Sequence, residues 1–438
     1  MKRAQKRLWW ELSSRLSRAG LTLRQWASGT VDDDAEKSQK DALYAKDLYR
    51  AASSLRGGVA KMAQLRAYLQ GANPLEANAQ NILGLLWDRA PSESPALIRQ
   101  VIEQELQQKP EDLFQSFQDE PLASASLGQV HSAQSRDGRA LAIKVQYPGI
   151  AESLDDDLQS NRILRELVGA DLGNTLSDET LDALRKQLLE EIDYRKEADS
   201  IRLFRDFFAH DPDIVVPNVY AEWSSQKVLA MELLTGERLP SFLRSGTEAE
   251  RSSVAQTILR FALECPLRHG HVNIDPNPGN YLILDRYQKQ TRVGFLDFGS
   301  VAKIPDELQE ADRNLYWAMI KRDGESLRYA VYQQGLVSDV SSFDLATYRR
   351  WERLFCAPFL EREATRLTPE YAKELGELTW ILVEQGKLSL PATTLLLWRQ
   401  RLGVLSILSA LRPVLSFRAI LAQILRDNHP IPILERYP

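Results

Sequence analysis

The stretch that decides the fold is Asn273-Ile274-Asp275-Pro276-Asn277-Pro278-Gly279-Asn280, continued by Tyr281 to Leu284, a polar turn over 285–290, and Val293-Gly294-Phe295-Leu296-Asp297-Phe298-Gly299. Two short apolar runs joined by a polar turn predict a β-hairpin. Asp275 and Asn280 stand at its entrance and Asp297 at its exit, so the hairpin brings together groups far apart in sequence. Asn280 and Asp297 offer the hard oxygen donors that suit Mg²⁺, an ion that takes few protein ligands and leaves room for phosphate oxygens. Asp275 is then left to orient or deprotonate an attacking hydroxyl. D-x-x-x-x-N followed by D-F-G is the spacing of a phosphoryl-transfer site. Either fragment alone is also an ordinary turn.

Working towards the N-terminus, Leu141-Ala142-Ile143-Lys144 places a lysine near the end of a β-run. Such a lysine holds nucleotide phosphates when a helix glutamate pairs with it; on its own it is a solvated edge residue. A long helix is predicted from Leu181 to about Phe208. Glu190, Asp193 and Glu197 fall near one face of it, and Glu191 points away. Taken alone, this cluster reads as a solvated acidic face. Before Lys144, the stretch Pro121 to Val130 stands where a phosphate-covering loop would use glycines. It is mostly alanine and serine, and its methyl groups restrict the backbone.

These motifs resemble the UbiB/AarF-type atypical kinase family, linked to ubiquinone biosynthesis. The resemblance rests on Pro121 to Val130, on Ala142-Ile143-Lys144-Val145-Gln146-Tyr147-Pro148-Gly149, on Glu191-Ile192-Asp193-Tyr194 with Glu197-Ala198, and on the two motifs of the hairpin. It implies an α+β, two-lobed protein-kinase-like fold with an alanine-rich loop in place of the glycine-rich one, and a helical N-terminal extension folded over the site. It implies Mg²⁺ with ATP or ADP as cofactors, and ATPase rather than protein kinase activity. Residue by residue, Asp275, Lys144 and Glu197 take the catalytic positions, with Glu197 pairing Lys144. Ala123, Ser124, Ala125, Ser126 and Lys144 face the phosphates, and Glu232 to Leu234 form the hinge against adenine. Asn280 and Asp297 take the metal positions. The extension motif falls on Lys61 and Gln64, with Lys61 reaching Glu191 or Asp193. The sequence departs from the family in Ala63, where glycine is usual, and in Asn273, where histidine is usual. That histidine braces the D-F-G turn, so its loss implies slow turnover.

The implied organisation is a basic amphipathic segment over 1–36, a helical extension over 37–118, a β/α lobe over 119–235 and a helical lobe over 236–438. The first segment interleaves Trp9, Trp10, Leu16, Leu21 and Trp26 with basic residues, which suits either an anionic membrane surface or packing on the body. Over its 438 residues the chain has a net charge of −5, which carries no nucleic-acid signature. Cys265 and Cys356 form no ligand spacing, and the pair His269 and His271 lacks companions for zinc. The apolar tract Leu395 to Leu425 is interrupted by Arg399, Arg401, Arg412 and Arg418, which excludes a membrane span. The expected setting is cytoplasmic with peripheral membrane contact. The expected partners are nucleotide, an anionic membrane surface, and lipid- or quinone-pathway enzymes, with no nucleic acid. The function expected from all this is an atypical kinase or ATPase supporting isoprenoid-quinone or lipid metabolism. The alternatives are a nucleotide-binding scaffold with little catalysis and a small-molecule hydroxyl kinase.

Overall fold

The computed structural model describes residues 93–125, 127–149, 191–286, 291–340, 345–389 and 391–426, with isolated positions between 178 and 190. The basic segment over 1–36, the extension motif at Lys61 and Gln64, and Ser126 lie outside the described residues.

The first lobe starts with helix α1 (Pro95–Leu106), opened by Ser94, whose hydroxyl accepts from the Leu97 amide, and by proline in the first turn. After the short helix α2 (Pro110–Leu113) come strands β1 (Phe114–Phe117), β2 (Ala123–Ala125), β3 (Gly128–Ser135) and β4 (Ala140–Gln146). With β6 (Val228–Glu232) they form an antiparallel sheet in the order β1-β3-β4-β6, with β2 on β3. The expected lobe boundary at 118/119 therefore falls after the first strand of this sheet rather than before it.

Strand alternation decides what each face of β4 does. Leu141, Ile143 and Val145 pack with Ile98, Val101 and Ile102 of α1 and with Val228 and Ala230. Ala142, Lys144 and Gln146 point the other way, towards helix α3 (Tyr194–Phe207), whose Tyr194, Ala198, Ile201 and Phe204 join the larger core. One strand thus seals the outer layer with one set of side chains and delivers Lys144 to the cleft with the other.

Helix α3 corrects the prediction of one continuous helix from Leu181 to Phe208. The chain is helical at Glu190, turns at Glu191 and Ile192, and starts a new helix at Tyr194. Asp193 is the cap, accepting from the Arg195 amide. An aspartate side chain that satisfies an exposed N–H at a helix start favours a boundary over helix interior. Tertiary contacts fix the turn: the Gln146 amide donates to the Ile192 carbonyl, and Ser300 donates to Glu191. The shared-face argument for Glu190, Asp193 and Glu197 does not hold across this break.

The second lobe is helical around α5 (Glu248–His269), which follows β5 (Ile214–Val215), β7 (Glu237–Arg238) and helix α4 (Leu239–Ser245). A capping box between Thr247 and Glu250 opens α5, and Gly270 closes it at φ 63°, where an L side chain would be strained. Strand β8 (His271–Asn273) leads into the Asp275 loop. The predicted hairpin forms as β9 (Tyr281–Leu284) and β10 (Arg292–Phe295), and Phe295 lies opposite Tyr281. Strand β11 (Val301–Lys303) follows the D-F-G turn and pairs antiparallel with β8. Behind these lie α6 (Asp306–Lys321), α7 (Gly324–Gln333), α8 (Leu345–Leu360), α9 (Pro369–Glu384), α10 (Ala392–Leu411) and α11 (Phe417–Arg426). No helix among the described residues is long and apolar enough to cross a membrane.

Candidate functional site

The site is assembled by strand pairing. Register places Asn273 opposite Val301, and the Ile274 amide donates to the Ser300 carbonyl at 2.9 Å. On the other side, the Leu296 amide donates to the Asn280 carbonyl at 3.0 Å. The loop bearing Asp275 and Asn280 is thus tied at both ends to the segment bearing Asp297. Within it the Asn277 side chain accepts from the Gly279 amide at 2.8 Å, and the Asn280 side chain donates to the Asp275 carbonyl at 3.2 Å. Asp297 accepts from the Gly299 amide at 2.9 Å, an Asx turn that shapes D-F-G. Phe298 anchors the turn by burial against Phe204 and Phe261.

Asn273 turns out to be the brace that its replacement of histidine put in doubt. Its amide nitrogen donates to the Asp297 carbonyl at 2.8 Å, and its amide oxygen accepts from the Asp275 amide at 3.2 Å. An amide has both a donor and an acceptor and can hold both loops while uncharged.

Across the cleft, the Lys144 ammonium lies 2.8 Å from each carboxylate oxygen of Glu197 and 3.4 Å from Asp297. The Lys144 and Glu197 side chains are 10% and 2% exposed. Burial works against the Lys144 charge, but Asp297 and Glu197 outweigh it and raise its pKa well above the usual lysine value. Burial also pushes Glu197 up, to about 7, with the Lys144 charge opposing and Asp297 reinforcing the rise. The Tyr194 ring lies 5.1 Å beneath the ammonium.

The alanine-rich segment is strand-paired: Ala123, Ser124 and Ala125 lie opposite Val130, Gln129 and Gly128. Gly128 is required by close approach, since an added Cβ would overlap the Val145 carbonyl oxygen and lie 2.9 Å from the Tyr194 hydroxyl. The Glu232 carboxylate is turned to Asn218, whose side-chain amide donates to it at 2.7 Å. Leu234 packs over Gly294 of the hairpin.

The two acids of the E-x-D motif differ. Asp193 is engaged by Arg195 at 2.7 Å, and the Arg195 hydrogen bond lowers its pKa. Glu191 is buried and accepts from Ser300, the residue after D-F-G. Sequence reasoning missed Ser300, which has no motif signal of its own. It also passed over Arg399, which lies 3.8 Å from Asp275.

Asn280 and Asp297 fit Mg²⁺ by donor chemistry, as one amide oxygen and one carboxylate on adjoining tied segments. Among the described residues no group of three or more His, Cys, Asp or Glu side chains could hold a metal by itself.

A β-lobe presenting a buried lysine–glutamate pair, a helical lobe presenting an Asp/Asn loop, and a D-F-G turn between them define a protein-kinase-like fold. Residues 85–331 match the ABC1 atypical kinase-like domain, and the chain belongs to that family. It is 31% identical over 67% of its length to the chloroplastic protein Activity of bc1 complex kinase 8 of Arabidopsis thaliana, covering 39% of that protein. It is 28% identical to the mitochondrial atypical kinase COQ8 of Saccharomyces cerevisiae, over 66% of this chain and 57% of the other. The alignments thus span about 40 to 60% of these relatives. A solved structure, the Rv3197–erythromycin complex from Mycobacterium tuberculosis, superposes with a TM-score of 0.61 at 26% identity, covering 90% of this chain and 98% of that one.

Proposed function

We propose that this chain is a Mg²⁺-dependent atypical kinase or ATPase that binds Mg-ATP or Mg-ADP and supports isoprenoid-quinone or lipid metabolism at a membrane surface. The observation that carries the chemistry is the meeting of Lys144, Glu197 and Asp297 in one cleft, with Asp275 and Asn280 tied to the same D-F-G segment. Lys144 binds the nucleotide phosphates, and Glu197 holds it extended. Ala123 to Ser126 cover the phosphates, and main chain from Glu232 to Leu234 receives the adenine. Asn280 and Asp297 hold Mg²⁺, which supplies charge neutralisation at the transferring phosphoryl group. Asp275 orients the nucleophile, water or an acceptor hydroxyl. Catalysis is then positioning plus electrostatic stabilisation. The quinone and membrane part rests on the family, on the COQ8 relative, and on the basic segment over 1–36. Lys61 and Gln64 act from the extension, with Glu191 and Asp193 as the acids they address.

The test is thermal melting with Mg-ATP or Mg-ADP, combined with phosphate release, for wild type, Asp297→Asn and Asp275→Asn. A ligand that binds only the folded chain raises the melting temperature by mass action. The expected result is a Mg²⁺-dependent rise lost in Asp297→Asn, and phosphate release lost in Asp275→Asn with the rise retained. Retained binding without release in wild type would replace this reading with the scaffold. Transfer to an added hydroxyl compound would favour the small-molecule kinase. No rise with either nucleotide would refute all three.

A further inference from the structure

We infer that Arg399, on a C-terminal helix outside the residues matched to the family domain, is a positioning residue for Asp275. The inference rests on the phosphoryl-transfer reading and adds a component to that site. The Arg399 guanidinium lies 3.8 Å from the Asp275 carboxylate, and the two side chains are 4% and 10% exposed. A guanidinium is always charged, and burying it is costly unless an acid answers it. Arg399 therefore marks a place where the fold accepts that cost beside the very carboxylate assigned to orient the nucleophile.

A second, independent observation fixes the helix there. Gly403 is one turn from Arg399 on α10, so both share a face. An added Cβ at Gly403 would overlap the ring of Pro276, the residue after Asp275. Glycine at this position lets the helix backbone seat directly on the catalytic loop. The helix is held in that seat from both sides. Leu397 packs with Val272 and Ile274 of the strand entering the loop, and the Gln400 amide donates to the Ala262 carbonyl of α5 at 2.9 Å. Arg401 is committed elsewhere, to the buried Asp312, and so does not compete for Asp275.

Arg399 thus acts through Asp275. It fixes where the carboxylate lies and which way it is aimed, so that Asp275 is held in place to orient the nucleophile. Turnover should depend on Arg399 while nucleotide binding, which belongs to Lys144 and the metal residues, should not.

The experiment uses the full chain with Arg399→Met, Arg399→Lys, Gly403→Ala, Asp275→Asn and the Arg399→Met/Asp275→Asn double variant. Two measurements are made: steady-state Mg-ATP hydrolysis, and unfolding free energy in denaturant. In Arg399→Met, kcat should fall roughly ten- to a hundred-fold with KM and the nucleotide-induced melting shift unchanged, the scale expected for a misaimed reacting group. Arg399→Lys should recover part of kcat, and Gly403→Ala should lower kcat without altering KM. Unchanged kcat in Arg399→Met overturns the inference. So does a loss that raises KM in proportion, or one that Arg399→Lys fails to relieve. The unfolding measurement needs no turnover, so it decides the point even if wild type hydrolyses nothing and the function reading fails. Coupled Arg399 and Asp275 give strongly non-additive stabilities in the double-variant cycle, whereas additive stabilities overturn the pairing.

Discussion

The two walls of the cleft are held by different chemistry. On the sheet side the parts are ions: Lys144 sits between Glu197 and Asp297, nearly sealed from water. On the helical side the parts are amides: Asn273, Asn277 and Asn280 fix the Asp275 loop through neutral hydrogen bonds. The division follows the work proposed for each wall. A wall that meets phosphate charge needs a cation, and a buried cation needs acids to hold it. A wall that sets geometry around a reacting carboxylate can be built largely from amides, which offer both a donor and an acceptor. Arg399 brings a guanidinium to within 3.8 Å of Asp275 on the second wall, from a helix remote in sequence.

The strongest way to break the contrast is to remove the cation from the ionic wall. Lys144→Met leaves Glu197 and Asp297 facing each other. Deleting one partner of a buried pair costs about 3–5 kcal/mol. Glu197, already pushed up to about 7, takes a proton rather than stay charged, so the low end of that range is expected. The nucleotide-induced melting shift should vanish in the same variant. A stability loss with the shift intact would show that Lys144 is structural only.

Next is the frame that carries the ionic wall. Gly128→Ala forces a Cβ onto the Val145 carbonyl, within the β3–β4 pairing that positions Lys144. Overpacking of this kind costs roughly 1–3 kcal/mol, read from denaturant unfolding. Because the strand must move, nucleotide affinity should fall as well. Wild-type affinity in a destabilised Gly128→Ala would separate the loop from the site.

The amide wall should respond differently. Asn273→Ala removes one bond to Asp297 and one to Asp275, at about 1–2 kcal/mol in stability. Because both loops lose their common tie, kcat should fall while the melting shift from Mg-ADP stays nearly whole. An equal loss of Mg-ADP response would mean that the amide wall also carries binding, and the contrast would collapse.

How far the sequence revealed this arrangement depended on the range of the interactions. The hairpin over Tyr281–Leu284 and Arg292–Phe295 was legible because apolar run, polar turn and apolar run are local signals. Lys144 was legible from its place towards the end of a β-run together with its motif. The break at Glu191–Asp193 was not, because the contacts from Gln146 and Ser300 that fix the turn come from distant segments. Only the cap residue, Asp193, was a local hint. Asn273 was read as a loss because the comparison was with histidine, and an amide does the bracing by another route. Arg399 was used only to argue against a membrane span. A helix apolar on every side is a buried helix, and an arginine inside it must find an acid. That reasoning leads to a partner for Arg399, although only the fold identifies it as Asp275.

The smallest effect concerns the boundary between the walls. His269 ends α5 and stacks on Phe207 of α3 with ring centroids 3.9 Å apart, so it touches the helix that carries Glu197. Burial first, then the charges of Arg268 and His271, lower its pKa from 6.5 to about 4. The unfolded chain, titrating near the ordinary value, takes up its proton first on acidification. The contribution of a neutral His269 to stability is therefore complete above pH 6.5 and is lost as pH falls towards 4. The ring is only half-buried, so after solvent screening the effect should stay under about 1 kcal/mol. Replacing His269 by glutamine should flatten the fall in stability between those two pH values while leaving stability at neutral pH nearly unchanged. An unaltered acid slope would mean that the ring titrates freely and that its stacking on Phe207 does not join the two walls.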